Sequence, residues 1–142
     1  MDASLTLLYD GTFEGLMTAF FEAYARRPHP AAILPESVCQ LQFGQTVETD
    51  LNKADRVVRG IQARIGDFAY EKIWLASLSD APAVSQDIYR YLLWGFDIGR
   101  SIRSRLADDR VLAVDKTVSL VTRESGLLRE FLRLSEMEGG VY

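Results

Sequence analysis

Apolar residues recurring at intervals of three and four in several separate stretches constrain this chain more than any other feature, because that spacing lines one face of an α-helix. Phe13, Leu16, Met17, Phe20 and Tyr24 form the first such set. Thr12 stands where a cap belongs, Glu14 complements the first turn, and Arg26-Arg27-Pro28 supplies cations and a stop, so the spacing predicts a helix over 13–26. Thr49-Asp50 opens a second helix with Ala54, Val57, Val58, Ile61, Ile65 and Phe68 on one face and Lys53, Arg56 and Arg59 on the other. Gly66 breaks or kinks it, and Tyr70, Ile73 and Trp74 continue in a third, short helix.

Ser79-Asp80-Ala81-Pro82 reads as the capped start of a long fourth helix carrying Val84, Ile88, Tyr91, Leu92, Gly95, Phe96, Gly99 and Ile102, which ends in Arg100, Arg103 and Arg105. The small-xxx-small pair Gly95 and Gly99 predicts close approach to another helix. Asp108-Asp109 caps a fifth helix bearing Val111, Val114, Val118 and Val121, with Gly126 at its end.

The strands are fewer. Leu5-Thr6-Leu7-Leu8-Tyr9, stopped by Asp10-Gly11, has the pattern of a buried strand. The prolines of Arg27-Pro28-His29-Pro30 and Pro35 remove donors and predict a loop. Cys39, Leu41 and Phe43 alternate with glutamines as in a short half-buried strand, and Phe131 to Met137 alternates before the turn signal Gly139-Gly140. Val141-Tyr142 begins a return arm and stops. This predicts a first arm at a sheet edge or paired with another chain, and a chain that is the N-terminal part of a longer protein. The expected fold is α+β: one domain over 1–142, with about five helices packed on a small sheet from the N-terminal strand and the C-terminal, truncated hairpin.

Several function classes are excluded by composition. Arg, Asp or Glu interrupts every apolar stretch before the length of a membrane span, and the acid in Met1-Asp2 stands where a signal peptide carries positive charge. With Cys39 as the single cysteine, no intrachain disulfide, Cys-rich zinc site or four-thiolate iron–sulfur cluster can be built, and the cytoplasm fits best. No cofactor or metal site is indicated.

No catalytic centre is recognisable. His29 has no acid or nucleophile at a motif spacing and reads as a solvent-facing loop residue. Cys39, in an apolar alternation, reads as a buried thiol. Asp10-Gly11-Thr12, at a strand-to-helix junction, reads as a capped turn rather than an anion cradle.

Charge is unevenly distributed. The chain carries a net −4, yet residues 50–105 hold nine basic groups against seven acidic ones. Thirteen of the sixteen basic residues are Arg, whose planar fork suits phosphate or carboxylate. Lys53, Arg56, Arg59, Arg90, Arg100, Arg103 and Arg105, with Tyr89, Tyr91 and Trp94, are the nearest thing to a nucleic-acid footprint. The competing reading is a solvated face over buried aromatics, supported by the helical register that puts Tyr91 beside Ile88, Leu92 and Gly95.

The opening Leu7-Leu8-Tyr9-Asp10-Gly11-Thr12-Phe13-Glu14-Gly15-Leu16, followed by Phe21-Glu22-Ala23-Tyr24, resembles a bacterial family of probable DNA metabolism proteins. Thr49-Asp50 with Ala54, Arg56 and Val57, and Phe131-Leu132-Arg133-Leu134 with Glu136 and Gly139-Gly140, are similar to later segments of that family. The resemblance spans the whole chain. It implies a role beside a radical-SAM protein thought to act in DNA repair, or beside a uracil-DNA-glycosylase-like domain to which some members are fused. Members usually continue into a C-terminal part with Pro-Asp-His and His-Asp elements that this sequence lacks, so no catalytic residue carries over. The resemblance thus implies an accessory domain of DNA metabolism or repair that binds nucleic acid or a repair partner. The alternatives are a fragment of an enzyme whose active site lies in that further part, and a plain protein-interaction module.

Overall fold

The computed structural model describes residues 5–37 and 44–125. Within them the order is β1 (Thr6–Tyr9), α1 (Phe13–Ala25), β2 (Ala32–Pro35), β3 (Gln45–Thr46), α2 (Leu51–Arg64), α3 (Asp67–Ser77), α4 (Val84–Ile98), a 3₁₀ turn (Gly99–Ser104) and α5 (Asp109–Ser125). The α+β class holds: five helices pack with a small sheet, α1 and α4 directly against its strands. The sheet is parallel throughout, in the order β2-β1-β3, with Leu7 opposite Ile33 on one side and Gln45 on the other.

Beside the expected β1, the sheet draws on two segments not read as strands. Ala32–Pro35, read from its prolines as loop, is the strand β2, and Gln45–Thr46 is a strand that alternation did not reveal. Proline is tolerated in β2 because the strand lies at the sheet edge and Pro35 is its last residue. Side chains of α4 cover that edge. Gln86 Oε1 accepts the Ile33 N–H at 3.1 Å, Gln86 Nε2 donates to the Ala31 carbonyl, and the buried Ser85 hydroxyl donates to the Ile33 carbonyl at 2.7 Å. Polar groups that would otherwise template pairing with another chain are thereby satisfied. The segments around Cys39 and from Phe131 to Tyr142, with the expected strand, hairpin and sheet-edge arm, lie outside the described residues.

The helices begin and end for identifiable reasons. Thr12 Oγ1 accepts the Gly15 N–H at 2.9 Å and Asp50 Oδ1 accepts from Asn52 and Lys53, capping α1 and α2 as the sequence indicates. Thr18, buried in α1, accepts the Asp50 N–H at 3.1 Å, so the cap of α2 is pinned to the middle of α1. Gly66, at φ +136°, separates α2 from α3. The long fourth helix stops earlier than its apolar spacing suggests: Gly99, at φ +68°, diverts the chain into the 3₁₀ turn, and Ile102 reaches the core from there. Its start also differs, since Ser79 Oγ accepts the Ala81 N–H in a preceding turn and α4 itself begins at Val84 without a side-chain cap.

One core joins these elements: Leu7 and Ile33 from the sheet, Met17 and Phe20 from α1, Ile61 from α2, Ile73 from α3, Ile88 and Leu92 from α4, and Val114 from α5. Two tyrosines in it differ in one respect. Tyr89 donates its hydroxyl to the Pro30 carbonyl at 2.6 Å, whereas the Tyr91 hydroxyl is buried with no hydrogen-bond partner among the described residues. Tyr89→Phe is expected to cost about 1 kcal/mol, because the Pro30 carbonyl loses its donor, and Tyr91→Phe to leave stability unchanged or raised. Urea denaturation of the two variants checks this, and an equal loss in both would show a bond to Tyr91.

Candidate functional site

The carboxyl ends of parallel strands, where connections leave to opposite sides, are the usual place for a site in such a sheet. Here β1 runs into α1 at that point, with β2 on one flank and β3 on the other. A cleft of about 250 Å³ lies above β1 and β2, between the start of α1 and the α3–α4 connection. Several polar groups in and beside it are engaged by the chain. Asp10 Oδ1 accepts from the Thr12 amide at 3.0 Å and hydroxyl at 2.6 Å, and Oδ2 accepts the Thr49 hydroxyl at 2.7 Å. Bonding first to the Thr12 hydroxyl holds the Asp10 carboxyl below its ordinary value. Ser77 donates to the Trp74 carbonyl and Ser85 to that of Ile33. The Asp10-Gly11-Thr12 junction is thus a capped turn. Among the described residues no three His, Cys, Asp or Glu side chains are grouped to hold a metal ion.

The basic residues singled out from the sequence fall in different settings. Lys53 is ion-paired with Glu22 and lies over the Phe21 ring, which also carries Arg56 at 5.6 Å. Arg59 pairs with Asp55 one turn away on the exposed face of α2. Arg100 donates to the Ala63 carbonyl at the end of α2, and Arg103 lies over Phe68 at 5.1 Å. Arg105 is exposed after the 3₁₀ turn. Arg90 is exposed on α4, on the side that spacing assigns to Trp94 and Asp97. Tyr89 and Tyr91 are buried, so the solvated-face reading is correct for those rings.

A further convergence of cations among the described residues involves arginines outside that set. Arg27, Arg64 and Arg110 line a shallow groove of about 470 Å³ with His29, Tyr24, Trp94, Phe96 and Asp97. Each guanidinium is anchored along one edge. Arg27 Nη1 donates to the Tyr24 and Arg26 carbonyls, Arg64 Nε donates to the Phe96 carbonyl at 2.6 Å, and Arg110 meets Asp108 through Nε and Nη2, both at 3.0 Å. With five N–H donors per guanidinium, each keeps donors beyond those bonds.

Aromatic rings support two of the three. Arg110 lies 3.9 Å over the Trp94 ring and Arg27 lies 5.6 Å over Tyr24, contacts worth about 0.5–1 kcal/mol each at exposed sites. Tyr24 in turn stacks on Phe20 and His29. His29 is half-buried rather than solvent-facing, because its Nδ1 lies 3.0 Å from the Ala23 carbonyl and its ring packs on Tyr24. The guanidinium groups are therefore oriented before any ligand arrives. They face the carboxylates of Asp97 and Asp108, and Asp109 also acts on Arg110, so nearby acids balance the three cations.

The architecture is that of an α+β protein whose small parallel sheet packs against α1 and α4 and whose oriented arginines gather where the C-terminal ends of α1, α2 and α4 meet the start of α5. No protein-family model matches the chain, and comparisons with curated proteins and with solved structures find no significant match. Among the described residues, no helix is long and apolar enough to cross a membrane.

Proposed function

We propose that this chain is an accessory domain of DNA metabolism or repair that binds nucleic acid and carries no catalytic centre of its own. The observation supporting this reading is the groove of Arg27, Arg64 and Arg110, whose forks are held by backbone carbonyls, Asp108 and aromatic rings with donors to spare. Preorganised guanidinium forks suit phosphate oxygens, and gathering three of them costs mutual repulsion that a bound anion would relieve. The resemblance of the Tyr9-Asp10-Gly11-Thr12-Phe13-Glu14-Gly15 start to probable DNA metabolism proteins points the same way, toward a radical-SAM or glycosylase-like repair partner. A pure protein-interaction role is the second reading. It is favoured by Trp74 and Leu78, 43% and 47% exposed and one turn apart on α3 and its end.

Titration of labelled oligonucleotides at low salt tests the reading. Binding is expected with dissociation constants on the order of 10⁻⁴–10⁻⁶ M at physiological salt, weakening as salt rises because each neutralised phosphate releases counterions. Arg27→Glu with Arg64→Glu should reduce affinity more than Arg59→Glu with Arg103→Glu, while the melting temperature reports that both pairs stay folded. Absence of binding to single and double strands alike would eliminate the nucleic-acid reading and leave the protein partner.

A further inference from the structure

Beside the arginine groove, and sharing Tyr24 and Phe96 with it, lies a second cleft of about 330 Å³ between α1 and α2. Its walls are almost wholly apolar: Phe20, Phe21, Tyr24, Val57, Gly60 and Phe96. Gly60 opens it, since a Cβ there would stand 3.3 Å from the Phe96 ring. Cations stand at its rim, with Lys53 and Arg56 both over the Phe21 ring and Arg27 over Tyr24 on the side of the groove.

We infer that the two clefts form one site for single-stranded nucleic acid, in which an unpaired base enters the aromatic cleft while its flanking phosphates meet Arg27 and Arg64 on one side and Arg56 on the other. This rests on the nucleic-acid reading above and sharpens it. A base has an apolar face for stacking and phosphates on the adjoining sugars, which matches an aromatic slot with guanidinium groups at its rim. A protein segment with the same charge pattern would need acidic residues flanking an aromatic one. The base is favoured because four of the five rim and groove cations, all but Lys53, are Arg forks, which match phosphate geometry. In a duplex the bases are stacked and paired, so only a splayed or single-stranded base can enter.

Fluorescence anisotropy with a labelled thymidine homo-oligomer of about 16 nucleotides, and with a blunt duplex of the same length, tests this. The wild-type protein is expected to bind the single strand about tenfold more tightly than the duplex. Gly60→Leu fills the cleft and Phe21→Ala removes a wall, and each should erase most of that preference while leaving a weak, salt-sensitive affinity for both probes. The variants perturb the cleft in opposite senses, and Leu at position 60 favours the helix over Gly, so an unfolded Phe21→Ala still leaves the test standing. Equal affinity of the wild-type protein for the two probes, or a single-strand preference that survives both substitutions, overturns the inference and leaves the nucleic-acid reading intact. Failure of the wild-type protein to bind either probe overturns both.

Discussion

Gly15→Ala is expected to destabilise the protein by about 1–3 kcal/mol, even though alanine is the better helix former by up to about 1 kcal/mol. A Cβ at position 15 would stand 2.1 Å from Asp10 Oδ1. That carboxylate cannot swing aside freely, because it accepts from the Thr12 amide and hydroxyl and from the Thr49 hydroxyl. Moving it unties the start of α1 and releases the segment leading into α2. Chemical denaturation measures the loss, and a Gly15→Ala protein more stable than wild type would show that helix propensity outweighs the clash. In the double variant Asp10→Ala with Gly15→Ala the clash has no partner, so its cost should fall below the sum of the single costs.

The same carboxylate gives this prediction a pH signature. Its pKa is lowered in the folded protein, chiefly by the Thr12 hydroxyl, from an ordinary value of 3.8. Unfolded chains therefore bind the proton more readily. The stabilising contribution is full above the ordinary value and disappears as pH falls through the lowered one. The difference between wild type and Asp10→Ala should accordingly be constant near neutrality and shrink below about pH 4. A difference that persists unchanged in acid would assign the effect to something other than the carboxylate charge.

Gly95→Leu is the second substitution with a large expected effect, again about 1–3 kcal/mol or more from overpacking. A Cβ there would come within 2.7 Å of Ile65 Cδ1 and 3.5 Å of Ile102 Cδ1, two side chains with no room to retreat because both are buried. The expectation that Gly95 faces another helix is met at the C-terminal end of α2. Gly99 also lies close to it, 3.4 Å from the Arg64 carbonyl by its would-be Cβ, but its positive φ is the stronger reason for glycine. Thermal unfolding checks the loss, and a midpoint within experimental error of wild type would remove the packing argument. Arg64 bonds the Phe96 carbonyl beside this contact, so the damage should reach the arginine groove as well.

The sequence by itself determined where α1, α2 and α5 begin and which faces the helices bury, because those signals are local. Apolar spacing gives the buried face, Thr12 and Asp50 satisfy amides within three residues of themselves, and Gly66 permits a backbone turn that other residues resist. It also indicated that Tyr91 shares a face with core residues, and that the Asp10-Gly11-Thr12 junction is a cap.

What only the tertiary structure decided are the pairings between distant segments. Strand β2 could not be read from Ala32–Pro35, since its edge is satisfied by Ser85 and Gln86, some fifty residues away. Ile102 reaches the core through a break at Gly99 that apolar periodicity does not register. The arginine groove was hidden for the same reason. Arg27 reads as part of a helix stop, and nothing in the linear pattern singles out Arg64 or Arg110. Convergence on Tyr24, Trp94 and Phe96 arises only because α1, α2 and α4 pack so that their C-terminal ends meet the start of α5. A linear pattern records what each residue does for its own helix. Where several helices bring their ends together is fixed by the burial of Phe20, Ile61, Ile65 and Leu92 in a common core.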